Sequence, residues 1–471
     1  MNTSLENPMR AALKYISFGS LALLAAVLVA GTLLERCAGV VIYSSPLFVA
    51  LWAVMLVAAF MYIFVKKVAA SLLLHVAFAV VLVGAFVTYT TAERGSLFLS
   101  KGAVPSSMFE RGDGGLAKLP FSVSLTGCGV EFCADGVTPR DYFAEIMVEP
   151  LNGVAGAARL SMNRVYDRGG YRLFLSGVDG VNATLLVNRD EWGTAITYVG
   201  YLLAVAGFLL LFFARNTLRA ALVQRLAVKR AVVTTALPRA NGLFLPLFSF
   251  VPLAVITYNG VCRWVETAVF PVSNGAEAMM FIAWCFLLSV LFLRKNRKLA
   301  LGALCLAVMC GAVAFFSGIS TPGPVQPILR TPLLPLHVVT IIISYVLIGL
   351  LAVNALVSLC HYCIKRNYGR LEAAAVYGRV MLYLAVAFLV TGIFLGAVWG
   401  NISWGRYWGW DPKEVWALIT LIICSFAFHT RSLPFMARPL VFHCFCLLAF
   451  VAVLFTYLGV NYLLGGLHSY A

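Results

Sequence analysis

The chain has 471 residues, 62% of them hydrophobic and only 11% charged, with 35 Lys and Arg against 19 Asp and Glu for a net charge of +16. Soluble globular proteins are about 45–50% apolar and about 25% charged, so an ordinary soluble enzyme is excluded. Apolar runs of ~20 residues recur, each able to cross a ~30 Å hydrocarbon core at ~1.5 Å per residue, and they predict an all-α polytopic membrane protein with one small β-rich external domain.

Eleven runs read as spans: Tyr15 to Leu34, Pro46 to Val65, Val68 to Tyr89, Ala195 to Ala214, Leu243 to Val261, Ala276 to Leu293, Leu299 to Phe316, His337 to Cys360, Val380 to Val398, Trp416 to His429 and Leu440 to Val460. The fifth contains Pro246 and Pro252 and carries the weakest helix signal. With the N-terminus inside, all five cytoplasmic loops are rich in Lys and Arg, and Glu372 alone opposes them. That asymmetry follows the positive-inside rule and accounts for most of the positive charge. No module for nucleic acid accompanies it. The first span is followed by Glu35, Arg36 and Cys37 rather than by a small-residue cleavage site, so it reads as a retained anchor.

Between the third and fourth spans lies the one long polar stretch, about residues 92–193, which the topology places outside. Phe121 to Leu125, Tyr142 to Val148 and Tyr171 to Leu175 are rich in β-formers, and Gly, Pro, Asn and Asp punctuate them. With 10 Lys and Arg against 12 Asp and Glu, the stretch is close to neutral. The chain thus divides into a half with four spans (1–214), a basic cytoplasmic linker (215–241) and a half with seven spans (242–471).

Most of the 12 cysteines fall in or beside spans, where a small buried apolar residue is the ordinary reading. Cys128 and Cys133 lie in the external domain, and sequence leaves open whether they form a disulfide. Cys360 and Cys363 form a C-x-x-C at a cytoplasmic helix end, without the βαβ context of a redox motif.

Six histidines are present. His337 and His468 fall on the external side, whereas His75, His361, His429 and His443 fall in or near the cytoplasmic leaflet. Any one of them can be a neutral ring bonded to a neighbouring helix. Pairs in both leaflets, however, can supply the two axial ligands of a haem iron.

The tract from Trp399 to Trp416, WGNISWGRYWGWDPKEVW, gathers five of the nine tryptophans on the external face. An interfacial belt would spread such residues over many helix ends. If the tract is helical, Trp404, Trp408 and Asp411 share one face and offer an aromatic surface to a large planar ligand. Asp411-Pro412-Lys413-Glu414 also reads as a helix start, with Asp411 as N-cap, Pro412 in the first turn and Glu414 three residues on. Arg406 and Lys413 are the tract's cations and suit ligand carboxylates. Arg330, and Arg263 with Trp264, sit on other external loops that could line the same cavity.

In these residues the sequence resembles the fused cytochrome c synthases of system II, in which a ResB-like half joins a CcsA-like half. The tract WGRYWGWDPKEVW looks like that superfamily's tryptophan-rich WWD signature and is followed by the helix end His429-Thr430-Arg431. PVSNGAE at Pro271 to Glu277, Pro335 to Val338, Gly459-Val460-Asn461 and Gly466-Leu467-His468-Ser469-Tyr470 extend the likeness; Leu160 to Asn163 and Tyr171-Arg172 carry it into the first half. The external domain is much shorter than in the longest members.

The resemblance implies that His337 and His468 bind haem iron beside the external tract, where Trp399, Trp404, Trp408, Trp410, Asp411 and Arg406 position the haem. It implies likewise that His75 and His429 hold haem within the membrane. The expected activity is attachment of haem b vinyl groups to the thiols of a C-x-x-C-H motif in an apocytochrome c, at a bacterial cytoplasmic membrane whose external side is the periplasm. Neither a nucleophile nor a general base from this chain is required, and thiol-reducing proteins are expected as further partners. A haem exporter or chaperone without ligation activity, and a b-type electron-transfer subunit, are the alternatives.

Overall fold

The computed structural model describes residues 8–66, 72–150, 154–213, 244–293, 296–316 and 325–464. The expected linker 215–241 and His468 lie outside the described residues. Three helices open the chain, α1 (Pro8–Ala38), α2 (Pro46–Lys66) and α3 (Leu72–Thr91), and α4 (Glu191–Phe213) comes after the sheet. The second half contains α5 (Phe244–Thr267), α6 (Gly275–Phe292), α7 (Arg297–Phe316), α8 (Leu333–Lys365), α9 (Tyr368–Trp404), α10 (Pro412–Phe426) and α11 (Pro439–Leu454). α11 continues without a break as a π-helix over Phe455–Leu464.

Among the described residues, ten helices are long and apolar enough to cross a membrane. The expected span Trp416 to His429 is the exception. Its helix, α10, has 15 residues and covers only about 22 Å. Pro246 stands in the first turn of α5, where an unpartnered N–H is normal, and Pro252 is tolerated inside the helix.

Glycines decide how closely the helices approach. Along α4, Gly193, Gly200 and Gly207 recur every seventh residue, and each faces α3: a Cβ would collide with Thr88 at the first, lie 2.6 Å from Val81 at the second and 2.8 Å from Leu74 at the third. Where lipid supplies no hydrophobic drive between helices, such small residues let backbones pack directly. α8 and α9 use the same device, since a Cβ on Gly392 would lie 2.6 Å from Ile341 and one on Gly396 2.5 Å from the His337 ring.

Eight antiparallel strands form the sheet between α3 and α4: β1 (Glu93–Ser100), β2 (Ser106–Arg111), β3 (Leu116–Phe132), β4 (Pro139–Pro150), β5 (Gly156–Ser161), β6 (Tyr166–Arg168), β7 (Tyr171–Asp179) and β8 (Asn182–Arg189). Their order is β5-β4-β3-β2-β1-β8-β7-β6, and β5 returns against β6 and β7 so that the sheet nearly closes on itself. The expected strand segments at Phe121, Tyr142 and Tyr171 fall in β3, β4 and β7. Alternation fills the interior: Leu119, Phe121, Val123 and Leu125 point inward from β3 and meet Ile146, Val148, Leu173 and Leu185. Cys128, within β3, and Cys133, just beyond it, are free thiols. The extended chain between them separates them by about 16 Å, well outside disulfide reach.

Candidate functional site

The tryptophan tract is not one helix. α9 carries Trp399 and Trp404 in its last turns and ends at Gly405, whose φ of +78° is left-handed. Glycine suits that conformation, and a Cβ there would also lie 2.5 Å from Phe174 of β7. Residues 405–410 are non-helical, and Trp410 itself has φ +58°. The expected common helical face of Trp404, Trp408 and Asp411 is therefore corrected. The proline ring of Pro412 disfavours helical geometry at the residue before it, and Asp411 is extended. From there Asp411 caps α10 as expected: its carboxylate accepts from the Lys413 N–H at 3.0 Å, while Glu414 Oε2 accepts from the Asp411 N–H at 3.2 Å and the Gly409 N–H at 2.8 Å.

The tryptophans separate into two groups. Trp399 is fully buried against Val325, Leu329 and Leu334, and meets Trp404 edge-on at 4.7 Å. Trp408 meets Trp410 edge-on at 5.8 Å. Trp410 in turn stacks flat on Tyr43 at 4.9 Å with 9° between the planes, and Phe48 packs edge-on at 5.1 Å. The turn between α1 and α2 thus grips the end of the tract. Two donors nearby, Trp408 Nε1 and Arg330 Nε, are buried without a hydrogen-bond partner among the described residues. Arg406 runs beside Gly409, its Nε 3.1 Å from where a Cβ would stand.

His337 begins the second turn of α8. Its Nδ1 donates to Gly392 O at 2.7 Å, and the missing Cβ of Gly396 makes room for the ring. The tautomer so fixed places the acceptor lone pair on Nε2, the arrangement of a metal-binding imidazole oriented by a carbonyl. His429, three residues past the end of α10, is prepared in the same way, with Nδ1 donating to Ser425 O at 2.8 Å. His75 of α3 lies beside it, with ring centroids 6.1 Å apart, and Phe18 of α1 packs edge-on against His429 at 5.2 Å. The structure brings His75 and His429 together from opposite halves of the chain.

His443 and His361 stand elsewhere. His443 is fully buried and donates from Nε2 to Leu371 O at 3.2 Å, whereas His361 is half-buried beside Arg370. Arg263 and Trp264 are corrected from loop residues to the last turns of α5, where Arg263 pairs with Glu277 at 3.0 Å and Trp264 faces outward. Arg330 approaches Cys133 Sγ at 3.7 Å.

Sequence reasoning missed the residues that bind the tract to the first half. The amide of Asn188 donates to Gly405 O, and Arg94 Nε donates to Asn188 Oδ1 at 3.3 Å. Tyr407 OH lies 2.7 Å from Thr88 Oγ1, and burial raises the pKa of its phenol. Arg172 reaches Asn401 at 3.2 Å, and desolvation draws its pKa down. These are contacts between distant stretches of sequence that no local signal marks; Arg172 stands out in the sequence through the family likeness, but its partner Asn401 does not follow from it.

The ResB-like family matches residues 66–191, and the cytochrome C assembly protein family matches residues 272–468. The cytochrome c biogenesis protein CcsA of Guillardia theta is 34% identical over 252 residues, covering 46% of this chain and 83% of that protein. The chain belongs to the fused ResB/CcsA family of cytochrome c biogenesis proteins. CcsA of Gloeobacter violaceus is 31% identical over 291 residues, covering 47% of this chain and 84% of that protein. Protein NrfI of Wolinella succinogenes is 31% identical over 304 residues, which span 62% of this chain but 31% of NrfI. The fused ResB/CcsA arrangement explains why the tryptophan tract of the second half is packed against strands and helix ends of the first.

Proposed function

We propose that this chain moves haem b from the cytoplasmic leaflet to the tryptophan tract on the periplasmic face of a bacterial cytoplasmic membrane, and there joins the haem vinyl groups to the thiols of a C-x-x-C-H motif in apocytochrome c. The observation that carries the reading is the His75–His429 pair, with ring centroids 6.1 Å apart. With metal–nitrogen bonds of ~2.0–2.1 Å and about 1.1 Å from ring nitrogen to centroid, two axial imidazoles on one iron stand a little over 6 Å apart. His429 is already held in the tautomer that such ligation needs.

At the other site His337 supplies one axial ligand, and His468 is proposed as the second. Trp404, Trp408 and Trp410 bound the haem, Trp399 backs Trp404, and Asp411 fixes the loop's exit. The buried donors of Arg330 and Trp408 suit haem carboxylates, with Arg406 as a further cation. The chemistry belongs to haem and partner: each thiol sulfur forms a C–S bond to a vinyl carbon, and the vinyl group gains the hydrogen. The protein contributes position, holding vinyls and thiols in reacting geometry.

The test is the visible spectrum and haem content of the detergent-purified protein, together with thioether yield on a co-expressed apocytochrome c. Haem in the wild type, an altered spectrum in His337→Ala and thioether product support the reading. Haem without product would favour an exporter or chaperone, and a haem-free wild type would sink both.

A further inference from the structure

Tyr407 stands in the middle of the tryptophan loop, and its hydroxyl reaches the top of α3. Thr88 Oγ1 is 2.8 Å from Asp190 Oδ2, which also accepts from Thr194 Oγ1 at 2.9 Å. Thr88 has one proton, and the carboxylate takes it, so the phenol must be the donor in the 2.7 Å contact between Tyr407 and Thr88. The chain of bonds therefore runs from Tyr407 through Thr88 to Asp190, and bonds so aligned strengthen one another. Arg94, whose charge acts on Asp190 and Tyr407 and is opposed by that of Arg406, donates to Asn188, whose amide donates to Gly405 O.

α3 carries His75 near its other end. Gly193, Gly200 and Gly207 of α4 sit against α3 over most of its length, with Gly84 of α3 facing Thr197 in the same way. Side chains that would collide if a single Cβ were added leave no slack for sliding. α3 and α4 therefore form a stiff pair, with a histidine of one site near one end and the partners of the tryptophan loop at the other.

We propose that Tyr407 and Thr88 are positioning residues: they latch the tryptophan loop to α3, so that the helix holding His75 also sets the loop geometry in which haem is presented to the apocytochrome. The proposal rests on the two-site reading above for its function. The latch itself is testable without haem.

Two measurements on the full chain separate these. The first is hydrogen exchange in residues 405–411 of haem-free protein, where Tyr407→Phe and Thr88→Val should each speed exchange about fivefold, the factor expected for one lost hydrogen bond. Thr88→Ser should restore the wild-type rate, and the double variant should add little to either single one. The second is thioether yield and the spectrum of the His337 site, both of which should fall or shift in Tyr407→Phe and recover in Thr88→Ser, with haem held by His75 and His429 retained. Unchanged exchange in both variants would overturn the latch. Faster exchange with unchanged spectrum and yield would overturn its role in positioning haem. A haem-free wild type with faster exchange in the variants would leave the latch standing and remove the two-site reading.

Discussion

Beyond its own turn, His429 meets other helices through rings, Phe18 edge-on at 5.2 Å and His75 at 6.1 Å, whereas the tryptophan loop is tied to the first half by hydrogen bonds from Asn188 to Gly405 and from Tyr407 to Thr88 as well as by the stack of Trp410 on Tyr43. Ring contacts prefer edge-on or offset arrangements but tolerate a range of centroid distances, each worth about 0.5–1.5 kcal/mol. Hydrogen bonds weaken steeply with misalignment. On the function proposed above, the first arrangement would have to yield to a planar guest, and the second allows the loop few geometries. A site that receives and passes on its cargo benefits from the former; one that aligns reacting atoms needs the latter.

The largest effects should come from removing ligands. His429→Ala and His75→Ala should each lower haem per protein about tenfold or more, the scale on which even supporting groups around a metal act. Pyridine haemochrome measurement checks this, and full retention of haem would collapse the comparison at its first term. Gly396→Val comes next. A Cβ there already stands 2.5 Å from His337, so about 1–3 kcal/mol of overpacking is expected, together with an altered spectrum at the His337 site and unchanged haem at His75 and His429. Melting in detergent and absorbance report both parts.

Asp411→Ala removes the α10 cap and should cost about 1 kcal/mol, while Asp411→Asn keeps an acceptor and should melt close to wild type. Equal melting of the two would mean that the cap does not hold the loop's exit. Tyr43→Leu should have an effect of the same order, about 0.5–1.5 kcal/mol from the lost stack on Trp410. Its reporter is tryptophan fluorescence, and an unshifted emission would free Trp410 from the turn between α1 and α2.

The legible parts were those governed by local chemistry or by solvent. Hydropathy marked the long helices because a lipid environment demands them, and the start of α10 could be read from Asp411, Pro412 and Glu414 because its capping bonds span only a few residues. Alternation in FSVSL and YFAEIMV marked strands that line one interior. The short β6, three residues long, had no such pattern to show. The spacing of Trp404, Trp408 and Asp411 puts them on one face only if the tract is helical, and Gly405, left-handed at the end of α9, breaks the helix between them, while Pro412 marks where the next one starts. Tyr407 and Tyr43 were illegible for another reason. Their partners, Thr88 and Trp410, lie hundreds of positions away, and only the folded chain brings them within reach.

The π-helix over Phe455–Leu464 governs how this chain tolerates length changes. A π turn holds more residues than an α turn, so the segment works like a vernier at the end of α11. Deleting one residue there should let the segment relax toward α geometry rather than break it, while changing which of its residues up to Leu464 face the core. A single-residue deletion would then be well folded and yet misdirected, because Val460 and Leu464, buried in one cluster with Val415 and Ile419 of α10, would turn away from them.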